Sequence, residues 1–96
     1  MPQDRDRRPP ATLQELKYLI AKRQIVFSNS LEQVARQIID RPEMVAFESA
    51  AVIARNCRVS QTTVHRLAQH IGFQTFGELR AMIRNHLRKS AVYRGH

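Results

Sequence analysis

Leu31, Val34, Ala35, Ile38 and Ile39 fall at i, i+3, i+4, i+7 and i+8, the spacing that lines one face of an α-helix. The Ser30-Leu31-Glu32-Gln33 stretch ahead of them has the S-x-x-Q spacing of a capping box, so the helix is predicted to start at Ser30. It ends at Arg41-Pro42, because the residue before a proline is pushed out of the α region. Pro42 in turn suits the first position of a short helix reaching about Phe47. Upstream, Thr12 is an N-cap candidate, and Leu13, Leu16, Leu19, Ile20 and Val26 give a stripe for a helix over 13–26. Downstream, Ser49 is placed to cap Ala50 to Cys57, and Ser60 to cap Gln61 to Ile71, with Gly72 as the stop. Thr75-Phe76-Gly77-Glu78 is a second capping box. It opens a helix through Leu79, Met82, Ile83 and Leu87, ending near Arg88. Six helices and no persuasive strand predict an all-α bundle. Residues 1–11, charged and proline-ended, read as a disordered arm, and 90–96 as a frayed tail or a linker cut short. The folded domain then spans 12–89.

Only Arg58 and Val59 separate Cys57 from Ser60. Two helices joined so tightly cross steeply, as in a helix-turn-helix, here over 49–71. Ala54 supplies the small residue where the helices touch, and Ile53, Cys57, Val59, Val64 and Leu67 fill the angle. The residue closing the first helix favours φ > 0, where glycine is usual and this chain has Arg58. A non-glycine there costs on the order of 1 kcal/mol. With Val64, Leu67, Ala68 and Ile71 inward, Gln61, Thr62, His65, Arg66 and Gln69 are left outward. These types read base edges: Arg grips guanine O6/N7, Gln grips adenine N6/N7, and a Thr methyl packs on thymine. No acidic residue lies on this helix.

Charge sharpens the picture. The net charge is +8. Residues 1–54 hold eight Lys/Arg and seven Asp/Glu, 8 − 7 = +1, whereas 55–96 hold eight and one, 8 − 1 = +7. A basic second half is the footprint of a polyanion binder, although a basic surface also serves solubility alone. Three glycines and four prolines are too few to punctuate a many-turned sheet. One cysteine excludes an internal disulfide. None of His65, His70, His86 and His96 lies three or four residues from another His or from Cys57, so no metal and no cofactor is expected. A lone thiol fits a reducing cytoplasm. No 18-residue apolar run and no leader-like segment appears. There is no Ser/His/Asp set, no paired carboxylates and no phosphate-cradling glycine loop, so no enzyme is expected. His65 and Cys57 fall on opposite sides of the turn.

At VSQTTVHRLAQHIGFQTFGELR, residues 59–80, the chain resembles the N-terminal domain of the RpiR family of bacterial transcriptional regulators. The family pattern has Val-Ser, a Thr-Val pair, Arg, an apolar pair, Leu/Ile-Gly-Phe, then Phe-x-Glu-Leu-Lys/Arg. Arg-Pro-Glu-Met-Val-Ala-Phe at 41–47 is similar to the family's Asn-Pro-Glu-x-Val-x-Phe segment, and 49–54 to its Ser-Ile-Ala-Glu-Leu-Ala helix. The resemblance covers about 12–85. It implies a homeodomain-like fold and a recognition helix over 60–71 that reads double-stranded DNA from the major groove. Matched position by position, Ser60, Gln61, Thr62, Thr63, His65 and Arg66 face the bases. Arg55, Arg58, Gln69 and Arg80 are expected on phosphates. A homodimer is the expected assembly, held by the first or sixth helix, with Ile25, Val26, Phe27 and Val52 as candidate contacts. The resemblance also implies control of sugar or related metabolism genes. In the family a sugar-isomerase-like (SIS) domain binds a phosphosugar effector; none follows within these residues, so the chain reads as a fragment or a shorter relative. Arg58 departs from the family's turn glycine, Val52 from a charged residue and His65 from an apolar one. Gly77 lowers the helical stability of the last element by roughly 0.5–1 kcal/mol. The alternative to sequence-specific binding is a helical interaction module with only non-specific affinity for nucleic acid.

Overall fold

The computed structural model describes the backbone of residues 9–94 and the side chains of 9–89. Six helices follow in order: α1 (Leu13–Ala21), α2 (Asn29–Asp40), α3 (Pro42–Phe47), α4 (Ala50–Cys57), α5 (Gln61–Ile71) and α6 (Phe76–Arg94). No strand occurs among the described residues, and no helix among them is long and apolar enough to cross a membrane. Four of the helices, α1, α4, α5 and α6, start on side-chain caps at the predicted residues, whereas α2 and α3 have none. Thr12 Oγ1 accepts the Glu15 N–H at 3.0 Å, and Ser49 Oγ accepts that of Val52 at 3.2 Å. At α6, Thr75 Oγ1 accepts the Glu78 N–H, while the Glu78 carboxylate accepts the Gln74 N–H, one residue ahead of the Thr75 N–H that the expected capping box would use.

Three helices end the same way. After α1, Gln24 N–H reaches Leu19 O and Arg23 N–H reaches Ile20 O. After α4, Val59 N–H reaches Ala54 O and Arg58 N–H reaches Arg55 O. After α5, Phe73 N–H reaches Ala68 O and Gly72 N–H reaches Gln69 O. This is the Schellman pattern, which requires a residue at φ > 0. Arg23 (φ 61°), Arg58 (φ 60°) and Gly72 (φ 126°) occupy it.

The core is one cluster. Leu13, Leu16, Val34, Ile38, Val45, Ile53, Val64, Leu67, Ile71, Leu79 and Ile83 are at most 2% exposed. α6 lies along α3 and against α5, and α2 packs across α5. No buried side-chain polar atom among the described residues lacks a partner.

Several expectations are corrected. α1 stops at Ala21 rather than reaching Val26, because Arg23 turns the chain through the left-handed region. Val26 is therefore 61% exposed, and Ile25, at 3%, enters the core instead. The α2 cap is Ser28, not Ser30. Ser28 O accepts the Glu32 N–H at 2.8 Å, so Ser30 already lies in the first turn and its capping box does not form. α6 continues to Arg94, beyond Arg88; of the expected tail only 95–96 lie outside the described residues. Of the expected arm, residues 1–8 lie outside them. Pro10, by contrast, is fully buried, and Ala11 N–H donates to the Glu15 carboxylate at 2.9 Å.

Two substitutions test the helix ends. A Cβ on Gly72 would stand 3.3 Å from Pro9 Cα, on a backbone few side chains adopt. Gly72→Ala is expected to lower stability by at least about 1 kcal/mol, read as a lower urea midpoint at unchanged slope. Arg58→Gly relieves the left-handed conformation and is expected to raise stability by about 0.5–1 kcal/mol in the same measurement.

Candidate nucleic-acid interface

The face of α5 follows from its core. At 100° per residue, Gln61, Thr62, His65, Arg66 and Gln69 fall within an arc of about 140°, opposite the buried Val64, Leu67 and Ile71. All five are exposed. Gln61, Thr62, Arg66 and Gln69 make no side-chain hydrogen bond or ion pair with any described residue. Their donors and acceptors are therefore available to a ligand. Arg55 and Arg58, at the end of α4 and in the turn, are exposed and similarly unpaired. Glu78 is the single acidic residue in 55–96, and one of its oxygens accepts the Gln74 N–H. α5 carries no acidic group in its first turn.

Ser60 and Thr63 are placed differently from the other four base-reading candidates. Ser60 Oγ accepts the Thr63 N–H at 3.1 Å, and the two hydroxyls lie 3.0 Å apart. Thr63 is half-buried. Their geometry makes the pair a cap for α5, which holds the start of the helix in place.

Arg80 also departs from expectation. Its Nε donates to Val45 O at 3.0 Å and a terminal N–H donates to Glu48 O. One turn on, Arg84 Nε donates to Ala46 O at 2.8 Å. These carbonyls belong to the last turn of α3 and the residue beyond it, where helix geometry leaves acceptors without partners. Cations there are favoured by the helix dipole as well. The two arginines thus close the end of α3, and the guanidinium of Arg80 is turned to protein rather than outward.

Another anchor has no counterpart in the sequence reading. His70 Nε2 lies 2.6 Å from Val26 O. A carbonyl only accepts, so Nε2 carries the proton. The ring also packs against Phe27, with centroids 5.4 Å apart. This ties the second half of α5 to the α1–α2 connection, across 44 residues of chain. No local signal marks such a pairing.

Cys57 is 4% exposed, and burial raises its thiol above the ordinary range, which disfavours the reactive thiolate. Among the described residues no group of His, Cys, Asp and Glu is arranged to hold a metal ion. Of the dimer candidates, Ile25 is committed to the monomer core, Phe27 and Val52 are half-buried, and Val26 is open.

The model of the rpiR-family helix-turn-helix domain matches residues 14–90. No curated protein and no solved structure gives a significant match. The matched span runs from α1 almost to the end of α6 and includes α4, the turn and α5 in full. Two packed helices joined by a short turn, an exposed polar arc on the second and a matching family model agree: the chain belongs to the rpiR-family helix-turn-helix domain, the DNA-binding part of a class of transcription regulators.

Proposed function

We propose that the chain recognises a specific sequence of double-stranded DNA, with the first turns of α5 in the major groove. The observation that carries this reading is the arc of Gln61, Thr62, His65 and Arg66. It is polar, open, free of carboxylates and fixed on a helix braced at both ends. Gln61 and Arg66 are the bidentate readers, Thr62 and His65 the finer selectors. Arg55, Arg58 and Gln69 grip phosphates and set the register. Ser60 and Thr63 act through the helix start they cap. The amides of that start also suit a phosphate.

One such unit makes a small footprint, and a homodimer on two half-sites about one DNA turn apart is the assembly that fits. Control of sugar or related metabolism genes, and response to a phosphosugar through a SIS domain outside this chain, are the family-level parts of the proposal. Selection of bound duplexes from a random library tests the whole. An enriched palindrome or repeat is the expected result; enrichment of nothing, with binding that tracks charge alone, would leave only the non-specific interaction module.

Two variants separate the roles. Arg66→Ala is expected to cost about 1–3 kcal/mol on the selected site and to relax one base position; a uniform loss on all sequences would make Arg66 a phosphate contact. Arg58→Gly is expected to reduce the slope of log K against log salt by about 0.9. An unchanged slope would remove Arg58 from the phosphate set.

A further inference from the structure

Arg80 has a second neighbour besides the end of α3. Its guanidinium carbon stands 5.0 Å from the centroid of the Phe76 ring, within the range of a cation–π contact. Phe76 in turn meets His65, with centroids 6.0 Å apart and planes at 75°, the edge-to-face arrangement that aromatic pairs favour. His65, Phe76 and Arg80 line one cleft between α5 and α6. The three form a line of contact from the carbonyls of Val45 and Glu48, through α6, to the outward face of α5.

The members of this line differ in freedom. Phe76 is 6% exposed and packed in the core. Arg80 is half-buried and fixed by two carbonyls. His65 is exposed and makes no hydrogen bond with a described residue, so the Phe76 ring is the contact that restrains it. Orientation matters for an imidazole more than for most side chains. In its neutral form one nitrogen donates and the other accepts, and a base edge is read by its own pattern of donors and acceptors. The rotamer of His65 therefore decides which edge it matches. A side chain ordered beforehand also loses less freedom on binding.

We infer that Phe76, steadied by Arg80, sets the orientation of the His65 imidazole and through it the base preference at one operator position. The inference rests on α5 being the DNA-reading helix. Phe76 and Arg80 are positioning residues in it; neither touches DNA. The role assigned to Arg80 replaces the phosphate contact expected from the sequence.

The test has two arms. The first needs no DNA. In nuclear magnetic resonance spectra of the full chain, the His65 ring protons are expected to show cross-relaxation with the Phe76 ring and an upfield ring-current shift. Phe76→Leu should abolish both, and Arg80→Gln should weaken both, with Arg80→Lys restoring part of the effect. Unchanged His65 signals in Arg80→Gln would overturn the role of Arg80. Arg80→Gln leaves the core apolar groups in place and carries this arm should Phe76→Leu not fold.

The second arm uses the duplex selected by the unmodified chain, with single-base changes at the position that His65→Ala relaxes. Phe76→Leu and Arg80→Gln are expected to reduce discrimination there by about three- to tenfold, the scale of one aromatic contact. Other positions and the salt slope should stay as they were. In the His65→Ala background the same substitutions should change discrimination no further. Equal losses at every position, an effect that persists without His65, or a salt slope reduced by about 0.9 for Arg80→Gln would each overturn the proposal. If the unmodified chain selects no sequence, the base-preference half fails together with the DNA reading, while the first arm still decides whether the His65, Phe76 and Arg80 contacts act as a unit.

Discussion

The angle between α4 and α5 depends on one backbone conformation. Arg58 sits at φ 60° and ψ 42°, the left-handed well that side chains enter only at a cost. From there its own N–H and that of Val59 turn back onto the last carbonyls of α4. Val59 is thereby brought half-buried against the core, and Ser60 is set in extended backbone to start the next helix. The core then fixes the roll of α5. Val64, Leu67, Ala68 and Ile71 are buried, and the residues between them have only one direction left to face. The polar arc is thus a product of the apolar packing beneath it, and the strain at Arg58 is offset by that packing.

Much of this was legible because the signals are local. Ser49, Ser60 and Thr75 act within four residues of their own backbone, and Gly72 ends α5 by a rule that involves six. The apolar spacing of α2 and α5 is likewise written within a few turns. The same rule failed at Arg23, which closes α1 at a positive φ as Arg58 and Gly72 close α4 and α5 but has no sequence mark, being neither glycine nor asparagine. Ser28 and Ser30 offer equivalent side chains two residues apart, and the choice between them depends on where the incoming chain turns. That turn is set by Ile25 entering the core, a tertiary event.

The candidate site shows the same division. Which residues of α5 face outward could be read from the pattern of those that face inward. What the arginines do could not. Arg80 and Arg84 find carbonyls 32 to 38 residues away, and His70 finds one 44 residues away. A guanidinium in a basic half looks alike in sequence whether it faces solvent or the open end of a neighbouring helix. Ser60 and Thr63 show a milder version, since a hydroxyl at a helix start can serve the helix or a ligand, and here it is bonded locally.

The closure of α3 by two arginines separates two properties that composition merges. Charge acts on a distant polyanion through the field of the whole molecule, and that field does not distinguish a guanidinium facing solvent from one bonded to a carbonyl near the surface. Arg80 and Arg84 therefore still contribute to drawing DNA in, over the roughly 8 Å that physiological salt allows. Once the surfaces meet, however, the Nε of each and one terminal nitrogen of Arg80 are already committed to carbonyls, and a phosphate can take only the N–H groups that remain. The rate of encounter accordingly counts every arginine of the basic half alike, whereas the strength of the grip depends on how many guanidinium N–H groups each has left uncommitted.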